Sequence, residues 1–193
     1  MSVGAGRSAD SARLSDMEQA ERVLLIGPMG VGKTTVAGLL AARLGWVPLD
    51  TDALVAQAAG CDIPAIFAAE GEEGFRRREQ AALREVSKQV RVVVATGGGT
   101  LCSEVAWSLV GPGTLVVWLD APAQELRRRI GDTAGRPLLD AAADPEFVLM
   151  ELSERRRTWY SRAHVRVEAG DRSPDQVART VARRMGRGAE EAR

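Results

Sequence analysis

The residues that most clearly indicate chemistry lie in one short segment, 27–34, which reads GPMGVGKT. It matches the pattern G-x-x-x-x-G-K-[ST], in which glycine amides surround phosphate oxygens. A short apolar run precedes it, and a segment with helical spacing of apolar residues follows, so the positive end of a helix would face the anion. This context predicts a phosphate-binding loop (P-loop), with Lys33 on the β- and γ-phosphates and the Thr34 hydroxyl on Mg²⁺. The expected ATP-binding residues here are Gly30, Val31, Gly32, Lys33 and Thr34, together with Thr35, which follows the segment.

Lysine is rare in this chain. Only Lys33 and Lys88 occur among 26 basic residues, the rest being arginine. An exposed lysine can usually be replaced by arginine, whereas a lysine that serves as a compact point charge cannot. The retention of Lys33 in the P-loop therefore supports a direct contact with phosphate.

Two carboxylates, Asp50 and Asp52, follow a short apolar segment that ends at Leu49. At the end of a strand they would lie beside the phosphate site, where one could hold Mg²⁺ through water and the other could accept a proton from an acceptor hydroxyl. The alternative is that Asp50, Thr51 or Asp52 caps a helix that starts at Ala53. The two interpretations are compatible.

Arginines occur in two clusters on predicted helices, at 76–78 and 155–157. Successive helical residues point about 100° apart, so at most one or two arginines of each cluster can face a site. An inward arginine would bind a substrate carboxylate through two hydrogen bonds. Exposure to solvent is the favoured interpretation for Arg77 and Arg78.

Three consecutive glycines, Gly97, Gly98 and Gly99, follow the apolar run 92–95. Glycine at the end of a strand indicates close approach by a ligand or another backbone. We therefore expect backbone amides here to contact a substrate, rather than a plain loop.

Arg136 lies in a polar stretch, 131–144. Such a segment next to a nucleotide site is typical of a closing lid, and its arginine would neutralise charge on the transferred phosphoryl group. The alternative is a surface loop.

Apolar runs alternate with helical segments along the chain. Strands are expected at 23–26, 47–49, 92–95, 115–119 and 165–167, and helices at 33–44, 75–88, 123–130, 145–162 and 174–185. This alternation predicts an α/β fold with a parallel sheet covered on both faces. His164, the single histidine, is interpreted as structural.

Composition excludes several classes of protein. The net charge is zero, which argues against nucleic-acid binding, and the absence of asparagine excludes the Asn-Lys-x-Asp guanine box of small GTPases. Cys61 and Cys102 form no metal or disulfide motif, so a reduced cytoplasmic setting is expected. No apolar run is long enough to span a bilayer, so no membrane association is expected.

Together these motifs resemble those of the shikimate kinase family. The resemblance runs in order from Val23 to about Arg184. It rests on the P-loop, Leu49-Asp50-Thr51-Asp52, Ile66-Phe67, Gly71-Glu72 with Phe75-Arg76, the glycine triplet, and Arg136-Pro137-Leu138-Leu139. The combination is more specific than any single motif.

The resemblance implies a role for each site residue. Asp52 would bind the shikimate hydroxyls and act as base, and Asp50 would hold Mg²⁺ through water. Arg76 and Arg156 would bind the shikimate carboxylate beside Gly97, Gly98 and Gly99. Arg136 would touch the ATP phosphates, and Arg129 and Arg172 would lie near adenine. Lys33, Asp52 and Arg136 are thus the expected catalytic residues.

The family usually has Arg-x-Pro-Leu-Tyr where this chain has Arg156-Arg157-Thr158-Trp159-Tyr160. The spacing to Tyr160 favours Arg156 over Arg157 as the inward residue. A related cyclic polyol acid is an alternative acceptor. The rival functions are a gluconate-type sugar-acid kinase and a catalytically silent nucleotide-binding module.

The resemblance also implies the fold and its partners. The implied fold is a three-layer P-loop fold with a five-stranded parallel sheet in the order 2-3-1-4-5, flanked by helices and carrying a mobile lid at about 131–143. We expect one kinase domain at 21–187, a disordered extension at 1–20 and a disordered tail at 188–193. The expected substrates are ATP and shikimate, with Mg²⁺ as cofactor and a monomeric chain.

Overall fold

The structure is a computed structural model that describes residues 19–131 and 144–186. Its strands are β1 (Arg22–Ile26), β2 (Val47–Asp50), β3 (Val92–Ala95), β4 (Thr114–Asp120) and β5 (Val165–Glu168). Its helices are α1 (Lys33–Leu44), α2 (Thr51–Ala59), α3 (Ile63–Val86), α4 (Glu104–Ser108), α5 (Ala123–Ile130), α6 (Pro145–Tyr160) and α7 (Pro174–Arg184). The predicted strands are all present.

The five strands form one parallel sheet in the order β2-β3-β1-β4-β5. This confirms the expected fold and strand order. Because the strands are parallel, their carboxyl ends meet at one edge. The P-loop after β1, Asp50 at the end of β2 with Asp52 in the first turn of α2, and the glycines after β3 therefore become neighbours there.

Helices cover both faces of the sheet, as the continuous apolar strands predict. In β1, Val23 and Leu25 belong to one core layer, whereas Leu24 and Ile26 belong to the other. The first layer includes residues of α1 and α7, and the second includes residues of α3 and Tyr160 of α6. The sheet is thus held between two apolar layers.

Helix α3 is longer than predicted. It begins at Ile63, after the cap residue Asp62, and contains a kink at Gly71, whose φ is 67° and ψ −174°. The expected start at Phe75 was wrong because glycine and glutamate between positions 70 and 74 interrupt the apolar spacing. The five-residue helix α4, capped by Ser103, was also missed, since it is too short to show a period.

The predicted extensions, 1–20 and 188–193, lie mostly outside the described residues. Within them, Ala20 is only 2% exposed and belongs to the core. Among the described residues, no single helix is both long and apolar enough to cross a membrane; α2 and α3 meet the criterion only as a pair, bent by 92°.

Candidate active site

The P-loop joins β1 to α1. Gly32 caps α1 with φ 97°, a conformation that side chains other than glycine rarely adopt. Lys33 Nζ donates hydrogen bonds to the carbonyl oxygens of Gly27 and Pro28, at 2.9 and 2.8 Å. Burial lowers the pKa of Lys33 to about 8, against the opposing effect of the Asp52 and Asp50 carboxylates. The ammonium group is thus held over the loop, next to these carboxylates.

Thr34 and Asp50 lie side by side at this edge of the sheet. The Thr34 hydroxyl donates to Asp50 Oδ2 at 2.8 Å, and Asp50 Oδ1 accepts from the backbone N–H groups of Asp52 and Ala53. Asp50 is therefore the cap of α2, one of the predicted alternatives. Its contact with Thr34 is also compatible with the other role expected for Asp50, which is to hold Mg²⁺ through water.

The oxygens of Thr34 and Asp50 suit a Mg²⁺ ion that is also bound by nucleotide phosphates, and they do not suit a metal that protein ligands hold alone. The described residues contain no cluster of three or more His, Cys, Asp or Glu side chains that could hold an ion. Mg²⁺ at nucleotide sites usually keeps several waters and takes one or two protein oxygens together with phosphates. Thr34 and Asp50 offer that number of hard oxygen ligands.

Asp52 is half-buried beside the P-loop. Its Oδ1 atom is inaccessible to solvent and has no hydrogen-bond partner within the described part of the chain. Burial raises the pKa of Asp52 to about 6; the nearby charges of Asp50 and Glu79 add to this, while Lys33 and Arg76 oppose it. A carboxylate with a pKa near neutrality and a free acceptor oxygen can take a proton from a ligand hydroxyl.

The glycine triplet leaves space for charged side chains. A β-carbon at Gly97 would lie 2.7 Å from Asp52 Oδ1, and one at Gly99 would lie 2.7 Å from Arg76 Nη1. Any side chain at these two positions would displace a charged group. Glycine at these positions thus lets Asp52 and Arg76 keep their present places, and contact of the triplet with a substrate stays a prediction.

Arg76 is held by two carboxylates. Its Nη1 atom donates to Glu79 Oε2 at 2.6 Å, and Nη2 donates to Glu72 Oε1 at 3.1 Å. Glu79 is only 2% exposed, and it also accepts from the Thr100 hydroxyl at 2.6 Å. Arg77 is exposed and pairs with Glu73. The guanidinium of Arg76 therefore has a fixed position, while one third of its side chain remains exposed.

Glu79 and Thr100 were missed by sequence reasoning. Glu79 follows Arg76 by three positions, a spacing that places both on one face of a helix and could have indicated the pair. No local signal indicates that Glu79 is buried.

Arg156 and Arg157 point to different places. A β-carbon at Gly98 would lie 3.0 Å from Arg156 Nη1, so this guanidinium lies against the glycine triplet. The side chain of Arg157 is 56% exposed and lies 3.9 Å from Glu154. Arg156 is thus the member of the cluster that faces the other candidate residues.

One cavity of about 630 Å³, here called the central cavity, brings most of these groups together. It is lined by P-loop residues, Asp50, Asp52, Phe67, Phe75, Arg76, Glu79, the three glycines, Arg129 and Arg156. Lys33 and Thr34 thus share a cavity with two arginines and a carboxylate. A phosphate donor and a small anionic acceptor could meet there.

An adjacent cavity of about 650 Å³ continues from the P-loop. It shares Gly30, Gly32, Thr35 and Arg129 with the central cavity, and Arg172 also lines it. Arg129 is fixed by hydrogen bonds to the carbonyl oxygens of Ala169 and Gly170, at 2.7 and 2.6 Å, and to Glu125. Arg129 thus lines both cavities and is held in place by these hydrogen bonds.

Val31, one of the expected ATP-binding residues, does not line the central cavity. Val31 is buried under the P-loop, and its carbonyl oxygen accepts from Arg129 at 3.2 Å. Arg136, with the predicted lid, lies outside the described residues.

Comparison with known proteins gives a consistent family. A family model described as shikimate kinase matches residues 29–186. A shikimate kinase of Synechococcus sp. RCC307 is 42% identical over 176 residues, covering 91% of this chain and 89% of that protein. One of Synechococcus elongatus is 46% identical over 145 residues, or 75% of each chain. The solved shikimate kinase of Acinetobacter baumannii, in complex with shikimate, has a TM-score of 0.83 and 32% identity, and covers 92% of this chain and 99% of that one.

Proposed function

This chain belongs to the shikimate kinase family, and from this premise we propose that it transfers the γ-phosphoryl group of ATP to the 3-hydroxyl of shikimate. The products are shikimate 3-phosphate and ADP. Membership of this family makes the chain an ATP-dependent kinase. The observation that carries the acceptor assignment is the central cavity, where Asp52 lies between the P-loop lysine and two arginines.

On the donor side, the P-loop amides and Lys33 bind the β- and γ-phosphates. Lys33 must exchange its carbonyl contacts with Gly27 and Pro28 for phosphate oxygens. Thr34 and Asp50 would hold Mg²⁺, Asp50 through water, and when bound the ion neutralises phosphate charge and orients the γ-phosphoryl group. The adenine ring would lie in the adjacent cavity near Arg129 and Arg172, and Arg136 would reach the phosphates.

On the acceptor side, Arg76 and Arg156 bind the carboxylate, and Gly97, Gly98 and Gly99 form the backbone wall beside the ring. The Gly97 N–H itself donates to the Thr51 hydroxyl, at 3.0 Å. The Asp52 carboxylate, which lines the central cavity, accepts the proton of the 3-hydroxyl. The hydroxyl oxygen then forms the bond to γ-phosphorus as the bond from that phosphorus to the ADP oxygen breaks. Positioning and charge stabilisation account for most of the rate, since this transfer needs no covalent intermediate.

The solved relative from Acinetobacter baumannii supports the choice of acceptor, because it was obtained with shikimate bound. The free thiols of Cys61 and Cys102 support a cytoplasmic location.

The test measures ADP release by the purified protein with Mg·ATP and shikimate, gluconate or no acceptor. Release that depends on shikimate is expected, and Lys33→Ala should abolish it, because the phosphates lose their cation. ADP release with gluconate but not with shikimate would show that the acceptor is gluconate and overturn the proposed acceptor. Turnover retained in the Lys33 variant would overturn the role of the P-loop.

A further inference from the structure

Tyr160 is the last residue of α6 and has no part in the mechanism above. It is 2% exposed, and its hydroxyl donates a hydrogen bond of 2.6 Å to the carbonyl oxygen of Gly98. It lines a separate cavity of about 300 Å³ and does not line the central cavity, whereas Gly97, Gly98 and Gly99 do. Tyr160 therefore contacts the triplet without lining the central cavity.

This hydrogen bond fixes the orientation of a peptide unit. The described chain contains no cis peptide bond, and in a planar trans peptide the N–H points opposite to the C=O. With the Gly98 carbonyl directed at Tyr160, the N–H of Gly99 is directed away from Tyr160, and Gly99 itself lines the central cavity. Within the described ranges, that N–H has no hydrogen bond to protein. It is free to bind a ligand.

Among the described residues, one other side chain lies near the Gly98 carbonyl oxygen, and it is a weak hydrogen-bond partner. Cys102 Sγ lies 3.8 Å from the oxygen, and a thiol is a poor donor. The Tyr160 hydroxyl is therefore the principal partner. Burial raises the pKa of the Tyr160 phenol, against the smaller opposing effect of Arg156, so the hydroxyl stays protonated and donates.

Tyr160 also connects the triplet to Arg156. The two residues are four positions apart in α6, which places them on one face of the helix. The Arg156 guanidinium also lies against Gly98, and it lines the central cavity. One hydrogen bond thus holds the helix that carries Arg156 at a set distance from the glycine amides.

We propose that Tyr160 is a positioning residue for the acceptor: it orients the Gly98–Gly99 peptide toward the central cavity and sets the spacing between that peptide and Arg156. The inference rests on the proposed function, because it assigns the acceptor to these groups. Tyr160 touches neither substrate, and it acts through Gly98 and Arg156.

The kinetic test uses Tyr160→Phe, which removes the hydroxyl and keeps the ring that packs on Trp118 at 5.8 Å. Loss of one buried hydrogen bond to a binding group should raise the KM for shikimate about tenfold, with kcat and the KM for ATP nearly unchanged. Thr158→Val, which removes an exposed hydroxyl from the same helix, should change none of these constants. An unchanged KM for shikimate in Tyr160→Phe would overturn the inference. An equal loss for both substrates with a lower Tm would also overturn it, since that result describes a merely structural residue.

A second measurement is independent of turnover. In amide-resolved NMR of the free protein, Tyr160→Phe should shift the Gly98 and Gly99 signals and leave those of Gly30 and Gly32 in place. Unmoved Gly98 and Gly99 signals would overturn the inference. If the wild-type protein shows no shikimate-dependent ADP release, the proposed function fails, and the NMR result alone decides the role of Tyr160.

Discussion

At the scale of single residues, the site depends on charged groups that lie close together and are partly shielded from solvent. Asp52 has a pKa of about 6 and Lys33 a pKa of about 8, each displaced from its ordinary value mainly by burial. Burial disfavours the charged form of both groups. The carboxylate and the ammonium group are therefore both ionised only in a window between these values, and chemistry that needs both is confined to it.

This window leads to a prediction for the pH dependence of kcat/KM, which reports the free enzyme. A base works when ionised, so activity should fall as the pH drops below about 6, where Asp52 becomes protonated. Activity should also fall as the pH rises above about 8, where Lys33 loses its charge. Initial rates at low shikimate and ATP concentrations across this range provide the measurement.

Asp52→Asn is the matched variant for the acid limb. The amide has nearly the same size but cannot accept the proton, so a loss of about 10²–10⁴ in rate is expected. The remaining activity should no longer show the limb near pH 6. A limb that persists in the variant would assign that titration to another group.

At the scale of elements, the kink of α3 shapes the acceptor side of the cavity. Gly71 allows the helix to turn, and the Glu70 carboxylate crosses the kink to pair with Arg78. A β-carbon at Gly74 would lie 2.3 Å from the β-carbon of Glu70, so that glycine gives Glu70 its place. Phe67 before the kink and Phe75 after it then stack at 4.6 Å beside Arg76. The kink thus brings an apolar wall and a cation to one side of the cavity.

A pair of glycine substitutions separates backbone conformation from side-chain contact. An added β-carbon would meet no atom within 4 Å at either Gly71 or Gly38, which lies inside α1. Gly71 has a conformation that is almost confined to glycine, so Gly71→Ala should lower the free energy of unfolding by about 1–3 kcal/mol. Gly38→Ala should raise it by about 0.5–1 kcal/mol, because the residue is helical. Denaturant unfolding measures both; equal effects of one sign would contradict this account.

At the scale of the whole molecule, the strand order creates the site. β1 lies between β3 and β4, so the chain leaves β1 for β2 on one side and later returns to β4 on the other. In open α/β sheets such a change of direction opens a crevice at the carboxyl ends of the strands. The P-loop lies at this point, and segments that are more than 60 residues apart in the chain, such as the P-loop and Gly97–Gly99, meet there.

Ligand binding should therefore stabilise the entire fold in two separable ways. Either shikimate or Mg·ADP at about 100 times its Kd should contribute about 2.7 kcal/mol, which corresponds to a rise in Tm of about 5–10 °C for a chain of this size. Arg76→Ala should remove the shift caused by shikimate and keep the shift caused by Mg·ADP, because Arg76 lies on the acceptor side. Thermal unfolding with each ligand alone measures this. An equal loss of both shifts would count against the role of Arg76.

Local pattern alone determined a large part of this protein. The P-loop, the five strands and the α/β class could be predicted because each depends on neighbours in sequence: glycine spacing, a run of apolar residues, an alternation of periods. The resemblance to a known family added the strand order and the assignment of Asp52, Arg76 and Arg156. The start of α3 and the helix α4 were missed, since the local signal there was broken or too short.

Only the tertiary structure decided which groups meet. That Arg156 and not Arg157 faces the cavity depends on the rotation of α6 against the sheet, and that Glu79 is buried beneath Arg76 depends on the packing of α3. The contact of Tyr160 with Gly98 joins residues 62 positions apart. Such long-range contacts arise from the packing of apolar layers around the sheet, and periodicity along the chain contains no information on the partner that each polar group will find.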